Sequence, residues 1–215
     1  YDNHFIMNKN LRVPYGLSVH GKEEIQAVTK VLKSSTQMGK HVSTFERKIS
    51  KLFQKKYGLM VNSGSSAILL AMETLDLPPG SEIITPALTF STTVGYIVRN
   101  NWIPVFVDVE EGTYCINESK IKNLITKKTK AIVAPHLMGN IVNWKKISPF
   151  LKKRGIIIVE DSADTLGATY KNESTGKYAD ISITSFYGSH IINCAGNGGM
   201  VCFNDKSKYT KAKLL

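Results

Sequence analysis

The sequence has few cysteines, no long apolar runs and fewer acidic than basic side chains. Its three cysteines are an odd number and lack the spacing of a metal-ligand set. That pattern favours reduced thiols in a cytoplasmic protein over a disulfide framework. The longest apolar runs, such as 155–159, are too short to cross a bilayer. No charged start leads into an apolar stretch with a cleavage site. The sequence therefore predicts a cytoplasmic protein without a membrane segment, a secretion signal or a metal site.

The excess of basic residues needs an explanation. Lysine and arginine number 28 and aspartate and glutamate 17, which gives a net charge of +11. An excess of basic over acidic residues can indicate nucleic-acid binding. Here the lysines are scattered, and the pairs at 127–128, 145–146 and 152–153 stand beside apolar positions at helical spacing. This pattern is typical of solvated helix faces and predicts no nucleic-acid partner, although it is compatible with attraction for a phosphorylated substrate.

Short apolar runs alternate with segments of helical periodicity along the whole sequence. The predicted strands are 59–61, 82–85, 104–108, 130–134, 156–159, 181–185 and 199–203, and the predicted helices are 22–33, 43–57, 67–75, 92–100, 117–125 and 144–153. This alternation is typical of a mostly parallel α/β sheet covered by helices on both faces.

No linker rich in proline, glycine or serine divides the chain, so we expect one α/β unit over residues 1–215. The sequence starts at Tyr1 and ends within a helical pattern that has no C-cap. We therefore expect an N-terminal segment and a large domain that belong to a longer chain.

Candidate functional residues follow the predicted strands, where ligands bind in open α/β sheets. Residues 62–67 introduce glycine and small hydroxyl residues at a helix start, which suits either a phosphate cradle or a plain capping turn. The acids Glu160 and Asp161 end a buried strand and need a partner there, unless Asp161 is an N-cap. His190 follows another strand as a candidate acid or base, or as a structural histidine.

Taken together, these segments resemble a known family in their order and spacing. The matching stretches are 38–46, 61–67, 85–90, 104–108, 160–161 and 185–199. They resemble the DegT/DnrJ/EryC1/StrS sugar aminotransferase family, a branch of the fold type I pyridoxal-phosphate enzymes, from about residue 13 onward. The resemblance implies the large domain of that fold, with a mostly parallel seven-stranded sheet, without the C-terminal small domain, and a homodimer.

The resemblance also implies roles for individual residues. Gly64 and Ser65 would bind the phosphate of the cofactor at a helix start, and the Ser185 hydroxyl would bind the same phosphate. Phe90 would stack on the pyridine ring. Asp161 would pair with the ring nitrogen and keep the ring an electron acceptor.

Two positions depart from the pattern of the aminotransferases. Asp164, which the resemblance also implies as a cofactor-binding residue, stands where those enzymes usually have glutamine near the ring hydroxyl. His190 stands where the pattern Ser-Phe-x-x-x-Lys supplies the lysine of the Schiff base, and no lysine lies between Lys177 and Lys206. The cofactor, pyridoxal or pyridoxamine 5′-phosphate, is therefore expected to be bound non-covalently.

Histidine at this position marks a branch that resembles GDP-4-keto-6-deoxymannose 3-dehydratase. The resemblance implies that the amine of the cofactor condenses with the C4 ketone of a nucleotide-linked 4-keto-6-deoxy sugar. His190 would remove a proton from the C4′ carbon, Asp161 would support the electron sink, and the C3 hydroxyl would leave. Glutamate would be the amine donor, in dideoxysugar and lipopolysaccharide O-antigen biosynthesis.

Three alternatives remain open. The CDP-sugar 3-dehydratases carry an iron–sulfur cluster and a cysteine where Ala163 stands, and Cys194 and Cys202 do not match the cluster pattern. An aminotransferase-like enzyme with an unusual base is the second alternative. A non-catalytic sugar-nucleotide-binding homologue is the third, although it would not need the electron sink at Asp161. Asn197 stands where the family commonly has glutamate before Gly-Gly, so the sugar and the nucleotide stay open.

Overall fold

The computed structural model describes residues 12–17 and 19–215 of the chain. Its helices are α1 (Lys22–Ser34), α2 (Lys40–Leu52), α3 (Gly64–Glu73), α4 (Ser91–Arg99), α5 (Glu118–Leu124), α6 (Trp144–Lys152) and α7 (Lys206–Leu214). Its strands are β1 (Tyr57–Val61), β2 (Glu82–Pro86), β3 (Ile103–Val107), β4 (Thr129–Pro135), β5 (Ile157–Asp161), β6 (Thr169–Tyr170), β7 (Glu173–Ser174), β8 (Ile181–Ser185) and β9 (Gly199–Phe203). Two short 3₁₀ turns, Leu137–Gly139 and Thr175–Tyr178, complete the list.

Seven of the strands form one sheet in the order β1-β9-β8-β5-β4-β2-β3. Strand β9 is antiparallel to both of its neighbours, and every other neighbouring pair is parallel. The mostly parallel seven-stranded sheet predicted from the sequence is thereby confirmed. Strands β6 and β7 form a separate small hairpin, which the sequence analysis did not predict because two-residue strands carry no periodic signal.

Neighbouring strand residues face opposite layers of helices, which explains the continuous apolar runs. Ile83 packs in a cluster with α3, α4 and α7, whereas Ile84 packs in a second cluster with α5 and α6. Ile132 and Val133 divide between the two clusters in the same way. Since successive side chains point to opposite faces of a strand, a sheet covered on both faces buries every position.

The predicted end of the second helix was wrong. Helix α2 ends at Leu52, and the chain turns at Gln54 with a left-handed φ of 53° before β1 begins. The predicted start of this helix at residue 43 was also wrong, because α2 begins at Lys40 and its N-cap is Gly39. The Glu46 carboxylate accepts a hydrogen bond from the Met60 N–H at 2.9 Å and so ties α2 to β1.

Helix α1 has no buried residue, and its apolar side chains at Ile25, Val28 and Leu32 are more than half exposed.

In the ranges 12–17 and 19–215, no helix has both the length and the apolar character that crossing a membrane requires.

Candidate active site

All seven predicted site residues lie at one edge of the sheet, where the six parallel strands end. Gly64 and Ser65 follow β1, Phe90 follows β2, and Asp161 is the last residue of β5. Asp164 follows β5, Ser185 is the last residue of β8, and His190 lies in the loop after β8. Strand β9 begins at the same edge because it runs in the opposite direction, so the loop 186–198 both leaves and returns beside the site.

The start of α3 and the end of β8 meet in direct contact. The Ser63 hydroxyl caps α3 by accepting the Ser66 N–H at 3.0 Å. The N–H groups of Gly64 and Ser65 have no partner within the helix, as is general for a first turn. A Cβ added to Gly64 would lie 2.7 Å from the Ser185 Cβ. Only glycine allows this approach, which brings a helix N-terminus and a hydroxyl together in an arrangement that suits an anion.

The hydrogen of the Ser185 hydroxyl is available for a bond beside the start of α3. Its oxygen accepts the Tyr187 N–H at 3.3 Å, and its hydrogen remains free to donate to an anion bound at the α3 N-terminus. The side chain is 7% exposed, so its orientation is set by packing. The cradle and the hydroxyl therefore fit a phosphate group.

The Asp161 carboxylate has more negative than positive charge around it. Burial above all, together with the nearby carboxylates of Asp164 and Glu160, raises its pKa to about 6. The Ala163 N–H, which donates to Asp161 Oδ1 at 2.9 Å, and His136 act in the opposite direction. A cationic group against this carboxylate would supply the missing charge, so a protonated heterocycle fits the position.

A buried histidine–glutamate pair lies beneath Asp161, and the sequence analysis missed the histidine. His136 Nδ1 accepts the Val142 N–H at 2.9 Å, so Nε2 carries the ring hydrogen and faces Glu160 Oε2 at 3.4 Å. Glu160 is fully buried and accepts hydroxyl hydrogen bonds from Ser162 and Thr175, each at 3.3 Å. The sequence did contain a signal for His136, because this residue directly follows a buried strand. Asp161 was predicted on the same kind of signal, since it ends a buried strand.

Lys55 is a buried lysine that precedes β1 and so lies at the other end of this strand from the start of α3. Its ammonium donates to the carbonyl oxygens of Gly176 at 2.5 Å and Ala179 at 2.7 Å. Burial lowers the pKa of Lys55, and the negative charge of Glu160 opposes that change. The lysine is thus bound to backbone carbonyls and fixes the 3₁₀ turn at Thr175–Tyr178.

His190 and Asp164 form a second pair at the site. His190 Nε2 lies 3.6 Å from Asp164 Oδ1, and Asp164 Oδ2 accepts the Met138 N–H at 2.9 Å. Met138 has a left-handed φ of 55°, an uncommon conformation for a residue with a side chain. His190 Nδ1 is out of contact with solvent and has no hydrogen-bond partner among the residues that the structure describes.

Phe90 lies at the same edge of the sheet but belongs to neither the His136–Glu160 pair nor the His190–Asp164 pair. It precedes α4, and its ring is 65% exposed. The strand order β5-β4-β2 separates it from Asp161 by two strands, or about 10 Å at the usual spacing. The described residues do not include any group of three or more side chains suited to holding a metal ion.

Comparison with known proteins identifies the family. The sequence profile of the DegT/DnrJ/EryC1/StrS aminotransferase family matches residues 19–215. The chain belongs to this family. Membership confirms the resemblance derived from the motifs, and solved structures of the family confirm the fold.

Members of the family with different reactions are about equally similar to the chain. The dTDP-4-dehydro-2,6-dideoxy-D-glucose 3-dehydratase of Saccharopolyspora spinosa is 36% identical over 196 residues, which are 87% of this chain and 42% of that protein. The E. coli GDP-4-keto-6-deoxy-D-mannose-3-dehydratase, solved with bound hydrated PLP, is 33% identical with a TM-score of 0.87, over 92% of this chain and 52% of the other. The Helicobacter pylori aminotransferase PseC, involved in pseudoaminic acid biosynthesis, is 31% identical with a TM-score of 0.87, over 94% and 54%.

The chain spans about half the length of the curated relatives that it matches. Because dehydratases and aminotransferases both occur among these proteins, family membership alone does not choose between the two reactions.

Proposed function

We propose that this chain forms the cofactor-binding part of an enzyme that removes the 3-hydroxyl of a nucleotide-linked 4-keto-6-deoxy sugar, with the GDP-4-keto-6-deoxymannose type as its substrate. The observation that carries the proposal is His190, which stands at the lysine position of the family motif and lies at the site edge beside Asp164. The 3-dehydratase among the solved relatives, with its bound PLP, supports the same assignment.

The residues present fit pyridoxal or pyridoxamine 5′-phosphate. The N–H groups of Gly64 and Ser65 and the hydroxyl of Ser185 would hold the phosphate. The exposed ring of Phe90 would cover one face of the pyridine, and Asp161 would pair with its nitrogen. When bound, the cofactor supplies an amine and a conjugated ring that accepts an electron pair.

His190 supplies proton transfer without a covalent link. An imidazole accepts and returns a proton but does not form the carbon–nitrogen double bond that a primary amine forms with an aldehyde. The cofactor would therefore be held by hydrogen bonds, stacking and charge alone. In such a site His190 removes a proton and leaves the amine of the cofactor available to the ketone of the sugar.

The overall reaction balances with glutamate as the amine donor. The sugar loses one oxygen and keeps its ketone, while glutamate becomes 2-oxoglutarate and releases ammonia. The amino acid is thus the reductant, and no metal or reductase is needed.

The test is to incubate the complete protein with pyridoxal phosphate, glutamate and GDP-4-keto-6-deoxymannose, and to weigh the sugar nucleotide by mass spectrometry. We expect the loss of one oxygen with the ketone retained, and 2-oxoglutarate and ammonia in equal amounts. The variant His190→Gln, which keeps a side chain of similar size without a titratable group, should show no conversion.

Three other outcomes would refute the proposal. Replacement of the ketone by an amine would show transamination with an unusual base. No conversion of the GDP-linked sugar, followed by conversion of the CDP-linked sugar with a reductase, would show a different dehydratase. No conversion of either sugar would favour a binding protein without activity.

We also propose that the protein is a homodimer, as the family resemblance implies. Light scattering coupled to size-exclusion chromatography should give twice the mass of one complete chain. A single-chain mass at micromolar concentration would contradict this.

A further inference from the structure

We propose that His136 is a positioning residue. Its ring closes the loop 137–142, and the closed loop sets the place of the Asp164 carboxylate at the site. The part that Asp164 plays toward a cofactor rests on the proposed function. The coupling between His136 and Asp164 rests only on the geometry of the chain.

The loop 137–142 connects β4 with α6 and reaches the site at Met138. The Met138 N–H donates to Asp164 Oδ2 at 2.9 Å, from a backbone with a left-handed φ of 55°. An uncommon backbone conformation at a site is maintained only where its surroundings impose it. The place of the Asp164 carboxylate therefore depends on what holds this loop.

The loop is bonded to the rest of the protein on its outer side and at its base. On the outer side, the Cys115 thiol reaches the carbonyl oxygen of Asn140 at 3.4 Å. At the base, the Val142 N–H donates to His136 Nδ1 at 2.9 Å and so joins the last residue of the loop to the residue that precedes it. A thiol is a weak donor and an amide a strong one, so the bond to the imidazole is the stronger of the two.

The His136 ring is itself fixed by its neighbours. His136 is 1% exposed, and the Trp144 ring lies edge-on to it, with 6.4 Å between the ring centroids. Because Nδ1 accepts the bond from the loop, the hydrogen of the neutral ring is on Nε2, which faces Glu160 Oε2 at 3.4 Å. The His136 backbone N–H donates to the carbonyl oxygen of Asp161 at 2.9 Å. The loop that meets Asp164 is thus anchored to the strand that ends in Asp161.

Two amide substitutions separate the roles of the two ring nitrogens. In His136→Asn, the side-chain oxygen takes the place of Nδ1 and still accepts the Val142 N–H, but the side chain is too short to reach Glu160. In His136→Gln, the amide reaches the place of Nε2 and donates to Glu160, but the Val142 N–H loses its acceptor. We expect the asparagine to keep the loop in place and the glutamine to release it. A role in filling space predicts the opposite order, because glutamine is closer to histidine in volume.

Backbone amide signals read this coupling directly and need neither cofactor nor substrate. The complete protein would be labelled with ¹⁵N at methionine and valine, and Met138→Leu and Val142→Ile would identify the two signals by their loss. Asp164→Ala removes the acceptor and so gives the signal of a released Met138 N–H. We expect the Met138 signal of His136→Gln to move toward that reference, and the Met138 signal of His136→Asn to stay with the wild type.

A measurement on the unaltered protein tests the inference even if a variant at position 136 does not fold. The wild-type Val142 amide should show a scalar coupling across its hydrogen bond to a histidine ring nitrogen, in spectra recorded at about pH 8.5, where an ordinary imidazole is neutral. It should also exchange with deuterium slowly. Exchange as fast as that of a solvent-exposed amide would overturn the inference without any variant.

Cofactor binding gives a second readout, which does depend on the proposed function. We expect His136→Gln and Asp164→Ala each to raise the Kd for pyridoxal phosphate severalfold. The double variant should bind no more weakly than the weaker of the two, because residues that act through one another do not have additive effects. Fully additive losses would contradict an action of His136 through Asp164.

A Met138 signal that stays with the wild type in His136→Gln, or that moves equally in both variants at position 136, would overturn the inference whatever the activity. A Met138 signal that follows the Val142 bond as expected, in a protein without 3-dehydratase activity, would uphold the inference and refute only the proposed function.

Discussion

At the scale of the residue, position 190 determines which chemistry is available. The surrounding cradle, aromatic ring and carboxylate all suit the cofactor of the family, and in the function proposed above the imidazole would change how that cofactor is retained and how a proton is moved. The edge of the sheet thus combines a family-like binding site with a different base. Single substitutions can therefore separate binding from catalysis.

Restoring an amine at position 190 should restore the covalent link. In His190→Lys, we expect the added cofactor to become attached to the protein, because a primary amine beside the phosphate cradle can condense with its aldehyde. Borohydride reduction followed by mass spectrometry of the peptide checks this. Wild type should release its cofactor under the same treatment, and His190→Gln serves as the non-basic control. Equal labelling of wild type and His190→Lys would contradict non-covalent binding.

The pKa of Asp161 predicts a pH dependence of stability in the cofactor-free protein. Its pKa is raised from 3.8 to about 6 by burial, so the folded state binds the proton more tightly than the unfolded state. Stability due to this group is fully present below about pH 4 and is lost as the pH rises to about 6. Asp161→Asn should lack that loss and be more stable than wild type by about 1–3 kcal/mol at pH 7.

Urea denaturation of both proteins between pH 4 and 7.5 measures this difference. A difference in unfolding free energy that stays constant across the window would show that Asp161 is not strained by its burial. Addition of pyridoxal phosphate should stabilise wild type more than Asp161→Asn.

Sequence reasoning found most of the site residues that end or follow a strand, although it missed His136, and it did not find the contacts between them. Asp161 and His190 stand out because a charged or titratable residue follows an apolar run. The contact between Asp164 and Met138 has no such signal, since a left-handed φ at a methionine depends on the folded loop. The pairing of His136 with Glu160 likewise joins two distant parts of the chain, the residue after β4 and strand β5.

At the scale of the element, the start of α3 carries the phosphate cradle, and its glycine should be irreplaceable. In Gly64→Ala, the new Cβ would collide with Ser185, so α3 and β8 must separate. We expect cofactor affinity to fall at least about tenfold, or ~1.4 kcal/mol, and stability to fall by about 1–3 kcal/mol. Absorbance titration with pyridoxal phosphate measures the first effect and thermal unfolding the second.

Gly95 is the matched control for this substitution. It lies inside α4, and a Cβ there meets no atom within 4 Å. Gly95→Ala should raise stability by up to about 1 kcal/mol through helix propensity, with unchanged cofactor affinity. If both variants bound the cofactor like wild type, the cradle would not be the phosphate site.

The elements themselves were largely predictable, because buried strands and amphipathic helices carry strong periodic signals. Strands β8 and β9 were predicted with their observed bounds. The end of α2 was not, since the turn at Gln54 interrupts an apolar pattern that continues beyond it. The β6–β7 hairpin was missed because four residues are too few to show alternation.

At the scale of the whole molecule, the charge of +11 over these 215 residues should act on the substrate at a distance. A nucleotide diphosphate is attracted by a positive field, and salt shortens the Debye length from about 30 Å at 0.01 M to about 10 Å at 0.1 M. We expect KM for the sugar nucleotide to rise severalfold across this range, with kcat unchanged. Sucrose at matched osmolarity should have no such effect, and a KM independent of salt would show that the field does not contribute.

The reversed strand β9 has a consequence for how the protein is made. The first strand of the sheet, β1, joins it only through β9, and their register pairs Tyr57 with Phe203. At about 5–20 residues per second, a ribosome adds the intervening stretch in roughly 7–30 s. During that interval β1, together with the glycine turn that follows it, has no partner strand, and Ser185 does not yet exist to meet it. The cofactor pocket is therefore a late product of synthesis, completed only when β9 emerges.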